Sequence, residues 1–131
     1  MLTGGCRCGA VRYEVDGEAE HHALCHCRDC QMATGAPMVA WLAVKADRFR
    51  VTRGEAASYQ GTGASIRHFC ATCGTPLFFE NAEMLPGIVD VQSVTLDDPD
   101  ASAPTAHIQV AERRAWMEGV EKLPAFARWP G

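Results

Sequence analysis

The sequence predicts an all-β fold with short helical turns, in which metal ions bound at cysteine clusters hold the strands together. Two observations lead to this prediction. Many short segments alternate between apolar and polar residues and are separated by turn residues such as glycine, proline and aspartate. Seven cysteines lie in three tight clusters, and a fold built from short strands gains stability from metal ions bound at such clusters.

Nine segments are predicted to form strands, most of them because apolar and polar side chains alternate. They are residues 10–15, 22–24, 38–44, 49–52, 57–60, 65–69, 77–80, 88–91 and 106–110. Segment 38–44 is apolar throughout and contains Trp41, so we expect a buried strand with Trp41 in the core. Turn signals such as Asp16-Gly17 follow several of the segments.

Helical structure is predicted to be short. Residues 29–34 fit one or two helical turns, and Gly35 is well placed to end them. Residues 81–85 are predicted to form a single helical turn. Residues 113–120 predict a weak helix around Trp116, which we expect to anchor the C-terminal tail by packing.

The bulk properties are those of a single globular domain that covers residues 1–131. The net charge is −4 and no basic stripe is present, so nucleic acid is not an expected partner. No apolar run approaches the roughly 20 residues of a membrane-spanning helix, so no membrane partner is expected either. The first residues lack the features of a signal peptide, and we therefore expect a cytoplasmic protein.

Four cysteines form two pairs that are far apart in the sequence. Cys6 and Cys8 enclose one residue, and Cys70 and Cys73 enclose two. In a reducing compartment clustered cysteines are more often metal ligands or redox groups than disulfides, and four thiolates are a ligand set of tetrahedral structural zinc. The alternatives are buried free cysteines or a disulfide. We expect a closed zinc site that ties the N-terminal strand to the middle of the chain.

The other three cysteines, Cys25, Cys27 and Cys30, lie within six residues. Three protein ligands leave a fourth tetrahedral position for water or substrate, as in catalytic zinc sites. Zinc bound by three thiolates carries net negative charge and is a weak Lewis acid, so we expect it to bind an exogenous thiolate rather than to catalyse hydrolysis. Cys30 is predicted at the start of a helix, where the partial positive charge favours the thiolate.

Three other interpretations of this cluster are open at this point. His26 or His68 could complete a closed structural site. Cys27 and Cys30 could form a reversible disulfide in a redox centre, or the cluster could be inert.

Three arginines lie beside the clustered cysteines, at Arg7, Arg28 and Arg67. They could bind the carboxylates of an anionic thiol. We favour the simpler interpretation, in which they balance the negative charge of the zinc–thiolate clusters or lie in solvent.

The residues around the clusters follow a pattern that extends over nearly the whole chain. It comprises residues 4–14, 25–31, 35–37, 67–77, 95–99, 107–108, 116 and 123–124. This pattern resembles the glutathione-dependent formaldehyde-activating enzyme (GFA) family, whose domain also occurs in centromere protein V. All seven cysteines fall within it.

The resemblance implies an all-β fold of the Mss4-like kind, built from several small curved antiparallel sheets. It implies two zinc ions, the structural one being held by Cys6, Cys8, Cys70 and Cys73. The second, labile zinc would be held by the catalytic residues Cys25, Cys27 and Cys30.

The activity that the resemblance implies is that of a carbon–sulfur lyase. The founding reaction condenses glutathione with formaldehyde to S-(hydroxymethyl)glutathione, which makes a small thiol such as glutathione the expected partner. The alternative is a non-catalytic zinc-binding module that carries thiols or binds a protein partner.

Overall fold

A computed structural model describes all residues of the chain, 1–131, and contains ten strands and one α-helix. The strands are β1 (Leu2–Gly5), β2 (Arg12–Val15), β3 (His21–Cys25), β4 (Val39–Lys45), β5 (Phe49–Arg53), β6 (Ala57–Gln60), β7 (Ser65–Phe69), β8 (Pro76–Asn81), β9 (Ile88–Gln92) and β10 (Ala106–Ile108). The helix α1 covers Arg28–Thr34. Single 3-10 turns cover Ala46–Arg48, Ser93–Thr95, Val110–Glu112, Ala115–Met117 and Val120–Lys122. None of the helices combines the length and the apolar character that a membrane span requires.

The strands form two sheets. One sheet has three strands in the order β1-β2-β5, and the other has seven in the order β10-β3-β4-β9-β8-β7-β6. Neighbouring strands are antiparallel, except that β10 runs parallel to β3 and places Ile108 opposite Cys25. The prediction of an all-β fold with short helical turns is confirmed, and the parallel pair is an addition to it.

The predicted elements agree with the structure except at the two ends of the chain. Each of the nine predicted segments overlaps a strand, and their ends differ from the observed ends by no more than two residues. Strand β1 was not predicted, because Gly4 and Gly5 interrupt the alternation of side chains. The predicted helix at 113–120 is replaced by 3-10 turns, and Trp116 is 62% exposed. The expectation that Trp116 anchors the tail by packing is therefore wrong.

The main core lies between the two sheets. Tyr13 and Val15 reach it from β2, and Leu42 and Val44 reach it from β4. Within each strand these buried positions are two residues apart, as expected when alternate side chains face one side of a sheet. The N-terminal sheet is therefore held to the large sheet by apolar packing.

A smaller cluster lies on the opposite face of the large sheet. Leu42 faces the main core, whereas Val39 and Trp41 point to the other side of β4 and pack with Cys25 and Cys30. The predicted burial of Trp41 is confirmed. Strand β4 thus supports the main core on one face and a group of cysteines on the other.

Substitution of Gly4 tests the packing between β1 and β2. A Cβ atom at Gly4 would lie 2.5 Å from the Tyr13 hydroxyl and 2.6 Å from the Thr95 carbonyl oxygen. We expect Gly4→Ala to lower the free energy of unfolding by about 1–3 kcal/mol, because the surrounding groups must move. Equilibrium urea unfolding measures this change.

Gly61→Ala is the matched control. A Cβ atom at Gly61 would meet no atom closer than 3.4 Å, so its effect should stay within about 0.5 kcal/mol. A Gly4→Ala variant as stable as Gly61→Ala would contradict the close approach of β1 to Tyr13.

Candidate metal centres

The two distant cysteine pairs come together in one group of four sulfurs. The Sγ atoms of Cys6, Cys8, Cys70 and Cys73 all lie within 4.8 Å of one another. Cys6 Sγ and Cys8 Sγ are 3.6 Å apart, and Cys8 Sγ and Cys70 Sγ are 3.7 Å apart. The first pair follows β1 in the small sheet, and the second lies between β7 and β8 in the large sheet. This four-thiol group therefore joins the two sheets.

Backbone N–H groups point at the sulfurs of the four-thiol group. Val11 N–H donates to Cys6 Sγ at 3.2 Å, and the N–H groups of Thr72 and Cys73 both donate to Cys70 Sγ at 3.4 Å. Hydrogen bonds to a sulfur favour its charged form. The backbone is thus arranged to stabilise thiolates at this group.

A glycine with a left-handed backbone conformation follows each cysteine pair. Gly9 and Gly74 have φ angles of +80° and +81°, a left-handed conformation that glycine adopts without strain. The two turns also contact each other, because Arg7 N–H donates to Thr75 Oγ1 at 3.1 Å. The glycines beside the cysteines therefore allow each turn to close around its sulfurs.

The remaining cysteines form a second group of three sulfurs. The Sγ atoms of Cys25, Cys27 and Cys30 lie within 4.8 Å of one another, and those of Cys25 and Cys30 are 3.8 Å apart. Cys25 ends β3, Cys27 caps α1, and Cys30 lies in the first turn of α1. The Cys30 N–H donates to Cys27 Sγ at 3.3 Å. The helix begins at Arg28 and ends before Gly35, in agreement with the predicted stop.

Arg67 of β7 supplies a cation to this three-thiol group. Its Nη2 atom lies 3.6 Å from Cys30 Sγ and 2.6 Å from the Asp29 carboxylate. Its guanidinium carbon lies 5.0 Å from the centre of the Phe79 ring. These contacts support the charge-balancing interpretation of Arg67.

The other two arginines beside the clusters make no hydrogen bond to a sulfur. Arg28 lies 3.4 Å from the Gln31 side-chain oxygen. Arg7 is exposed, and its recorded hydrogen bond uses the backbone.

The spacing of the sulfurs fits a bound metal ion better than disulfides. A disulfide requires two sulfurs about 2.05 Å apart, whereas all seven cysteines here are unpaired and three pairs of sulfurs are 3.6–3.8 Å apart. Zinc–sulfur bonds of about 2.3 Å in a tetrahedron place the sulfurs about 3.8 Å apart. Both groups therefore have the donor type and the spacing that a tetrahedral thiophilic ion needs.

Proton affinity is unevenly divided within the three-thiol group. Contact with the Cys25 thiol lowers the pKa of Cys30 to about 5, and Arg67 contributes in the same direction. Contact with Cys30, and then burial, raises the pKa of Cys25 far above its ordinary value. Cys30 is thus stable as a thiolate without a metal ion, whereas the negative charge on Cys30 disfavours a second thiolate at Cys25. A divalent cation removes that opposition.

Neither histidine that was considered as a fourth ligand belongs to the three-thiol group. His26 is fully buried, and its Nε2 lies 2.8 Å from Nδ1 of His107. His68 Nε2 lies 2.7 Å from the Glu80 carboxylate, and its ring stacks on Phe78 at 4.2 Å. A tetrahedral ion bound at this group would therefore have three protein ligands and one position without a protein ligand.

A cleft of about 540 Å³ lies next to residues that contact the three-thiol group, although none of the three cysteines lines it. Arg67 and Trp41, which both pack beside Cys30, form part of its wall, and His68 lines it as well. The other lining residues are Asp29, Met32, Ala33, Thr34, Tyr59, Phe69, Gly74, Pro76, Phe78 and Gln92. Sequence reasoning missed Met32 and Tyr59, because nothing in their local sequence distinguishes them from ordinary surface residues.

Comparison with known proteins gives a consistent result. Residues 1–112 match the family model described as glutathione-dependent formaldehyde-activating enzyme (GFA). A Halomonas elongata protein, provisionally named a glutathione-dependent formaldehyde-activating enzyme, is 28% identical over 141 aligned positions that cover 99% of this chain and 89% of that protein. A Schizosaccharomyces pombe protein named as an uncharacterized lyase is 28% identical over 112 positions, which cover 74% of this chain and 80% of the yeast protein.

The fold is shared with a protein of known structure. A Rhodobacter sphaeroides protein whose crystal structure has been determined is similar with a TM-score of 0.63 and 26% sequence identity. The match covers 80% of this chain and 98% of that one, and it confirms the small all-β fold of the Mss4-like kind. Because the family model spans most of the chain, the resemblance seen in the sequence is confirmed, and the chain belongs to the glutathione-dependent formaldehyde-activating enzyme family.

Proposed function

We propose that this protein is a zinc-dependent enzyme of the carbon–sulfur lyase type, which acts on the adduct of an aldehyde with glutathione or another thiol. Family membership supports this reaction class. The observation that carries the proposal is the three-thiol group, which has no fourth protein ligand and is separated from a cleft by Arg67 and Trp41. The seven unpaired cysteines suit a reducing compartment, and we place the protein in the cytoplasm.

Zinc is the metal that the two donor sets fit best. Thiolates are soft ligands that suit zinc, and tetrahedral sites with four cysteines are structural. We assign the four-thiol group this structural role, which agrees with its position between the two sheets. We assign the reaction to the three-thiol group, because three protein ligands leave room for a substrate atom.

The proposed reaction needs no oxidant or reductant. In the synthetic direction the thiol sulfur forms a bond to the carbonyl carbon, the carbonyl π bond breaks, and the thiol proton ends on the new hydroxyl oxygen. The lyase direction reverses each of these changes. Zinc held by Cys25, Cys27 and Cys30 would supply a lowered thiol pKa, which makes the substrate sulfur nucleophilic.

Arg67 and Trp41 prepare the site for an anionic sulfur. The Arg67 guanidinium contacts Cys30 and offsets part of the negative charge of the thiolates. Asp29 and Phe79 hold the guanidinium in place, so no large movement is needed when the substrate binds. The buried ring of Trp41 limits access of water to the sulfurs, which strengthens these charge interactions.

His68 is not directed at the three-thiol group. Arg67 and His68 are successive residues of β7, so their side chains point to opposite faces of the sheet. Arg67 contacts Cys30, whereas the His68 ring stacks on Phe78 of the main core and its Nε2 contacts Glu80. We therefore assign His68 no part in the reaction.

Metal analysis tests the two-site assignment. We expect the purified protein to bind about two zinc ions, one for each thiol group. Cys27→Ala should bind one zinc and remain folded, because only the open site is lost. Cys73→Ala should lose the ion that joins the two sheets and unfold at a lower temperature. Inductively coupled plasma mass spectrometry and circular dichroism measure these results.

Thr72→Ala provides the matched control, since it lies between Cys70 and Cys73 and contributes only its backbone N–H. It should keep both ions. Two ions in Cys27→Ala would refute the second site, and an unchanged melting temperature in Cys73→Ala would refute the structural role.

Glutathione binding tests the proposed substrate. Calorimetry should detect binding of glutathione to the wild type, and NMR should show faster exchange between free formaldehyde and its glutathione adduct. We expect Cys27→Ala to lose both properties, because the open zinc site is then incomplete. Glutathione binding without any change in the exchange rate would instead indicate a thiol carrier.

A further inference from the structure

The C-terminal part of the large sheet crosses the loop that carries the three-thiol group. We call residues 105–112 the strap and residues 25–31 the ligand loop. Strand β10 of the strap is the outermost strand of the sheet, pairs only with β3 and is exposed along its length. Its hold on the rest of the protein therefore depends on a small number of contacts.

The first contacts join the strap to His26, which lies between two of the cysteines. His26 N–H donates to the carbonyl oxygen of Ile108 at 3.0 Å. The His26 ring is fully buried, and its Nε2 lies 2.8 Å from Nδ1 of the exposed His107. His26 Nδ1 has no hydrogen-bond partner, so His107 is the one side chain that fixes the ring by hydrogen bonding.

The other contacts join the strap to the start of α1. The Glu112 carboxylate accepts a hydrogen bond from Arg28 N–H at 3.1 Å. Gln31 Nε2 donates both to the Glu112 carbonyl oxygen at 3.1 Å and to the His26 carbonyl oxygen at 2.7 Å. The strap thus holds the residue before Cys27 and the residue after it.

The hydrogen bonds of the strap reach the ligand loop of the three-thiol group and not the four-thiol group. Cys27 is the partly exposed member of the three-thiol group, and its two neighbours in sequence are both bonded to the strap. No hydrogen bond joins the strap to the four-thiol group. A change in the strap should therefore reach the three-thiol group selectively.

We propose that the strap is a positioning element that sets how fast metal leaves the three-thiol group, with Glu112 and His107 as its positioning residues. When the strap is docked, the ligand loop keeps Cys27 within reach of Cys25 and Cys30. When the strap detaches, the loop loses its hold on both sides of Cys27, and that ligand can leave. The part that concerns metal rests on the proposed function, whereas the hold on the loop does not.

Metal transfer to a chromogenic chelator tests the proposal on the zinc-loaded protein. Outer partners of metal ligands typically change metal affinity by 10- to 100-fold. We expect Glu112→Ala and His107→Ala to speed the release of one zinc ion by about tenfold or more, with release of the other ion unchanged. Glu112→Gln keeps a side-chain oxygen to accept from Arg28 N–H and should recover most of the slow release.

Glu118→Ala is the matched control, because this exposed glutamate of the same tail makes no side-chain hydrogen bond. It should release both ions at the wild-type rate. Release that is unchanged in Glu112→Ala and His107→Ala would overturn the proposal. Equal acceleration of both ions would also overturn it, because that result indicates general destabilisation.

Amide hydrogen exchange separates failure of the strap from failure of the proposed function. Exchange at Arg28 N–H should become faster in Glu112→Ala and stay slow in Glu112→Gln, whatever metal is bound. If the wild type binds a single zinc ion, the metal assignment of the three-thiol group is wrong, and this exchange alone decides the positioning role. Equal exchange at Arg28 in the wild type and Glu112→Ala would refute it.

Discussion

The close approach of seven sulfurs in two groups is the constraint on which the rest of the structure depends. Sulfurs 3.6–3.8 Å apart are too distant for disulfides, and thiolates at this spacing repel one another unless a cation lies between them. The four-thiol group brings together a turn from each sheet, and the three-thiol group joins the end of β3 to the start of α1. The cysteines thus bring together the loops at the ends of short strands and of the one short helix.

The two groups differ because they lie on different sides of β4. The four-thiol group adjoins the main core through Cys6 and Cys70, whereas Cys8 and Cys73 are exposed. Backbone N–H groups and two left-handed turns lie against its sulfurs. The three-thiol group lies on the opposite face with Trp41, and a cleft opens beside it. A set of four donors saturates a tetrahedral ion, whereas a set of three beside a cleft can accept a substrate. The location of each group thus agrees with the role that we propose for it.

Local sequence patterns predicted the strands and the cysteine groups. They did not predict contacts between segments that are far apart in the chain. Alternation and apolar runs located nine strands, and both signals failed for β1 because Gly4 and Gly5 carry no side chains. Cysteine spacing predicted both thiol groups, and the structure brings the sulfurs of each group within 4.8 Å of one another. The contact of His107 with His26 depends on parallel pairing between β10 and β3, and no local pattern encodes that pairing. The exposure of Trp116 likewise depends on which surfaces the tail meets.

Anomalous X-ray diffraction at the zinc absorption edge tests the central claim most directly, namely that one thiol group is closed and the other open. We predict two zinc peaks in crystals of the purified protein. One should be bound by Cys6, Cys8, Cys70 and Cys73, and the other by Cys25, Cys27 and Cys30 with a fourth ligand that is not part of the protein. A single peak at the four-thiol group, or a protein side chain completing the second site, would contradict this account.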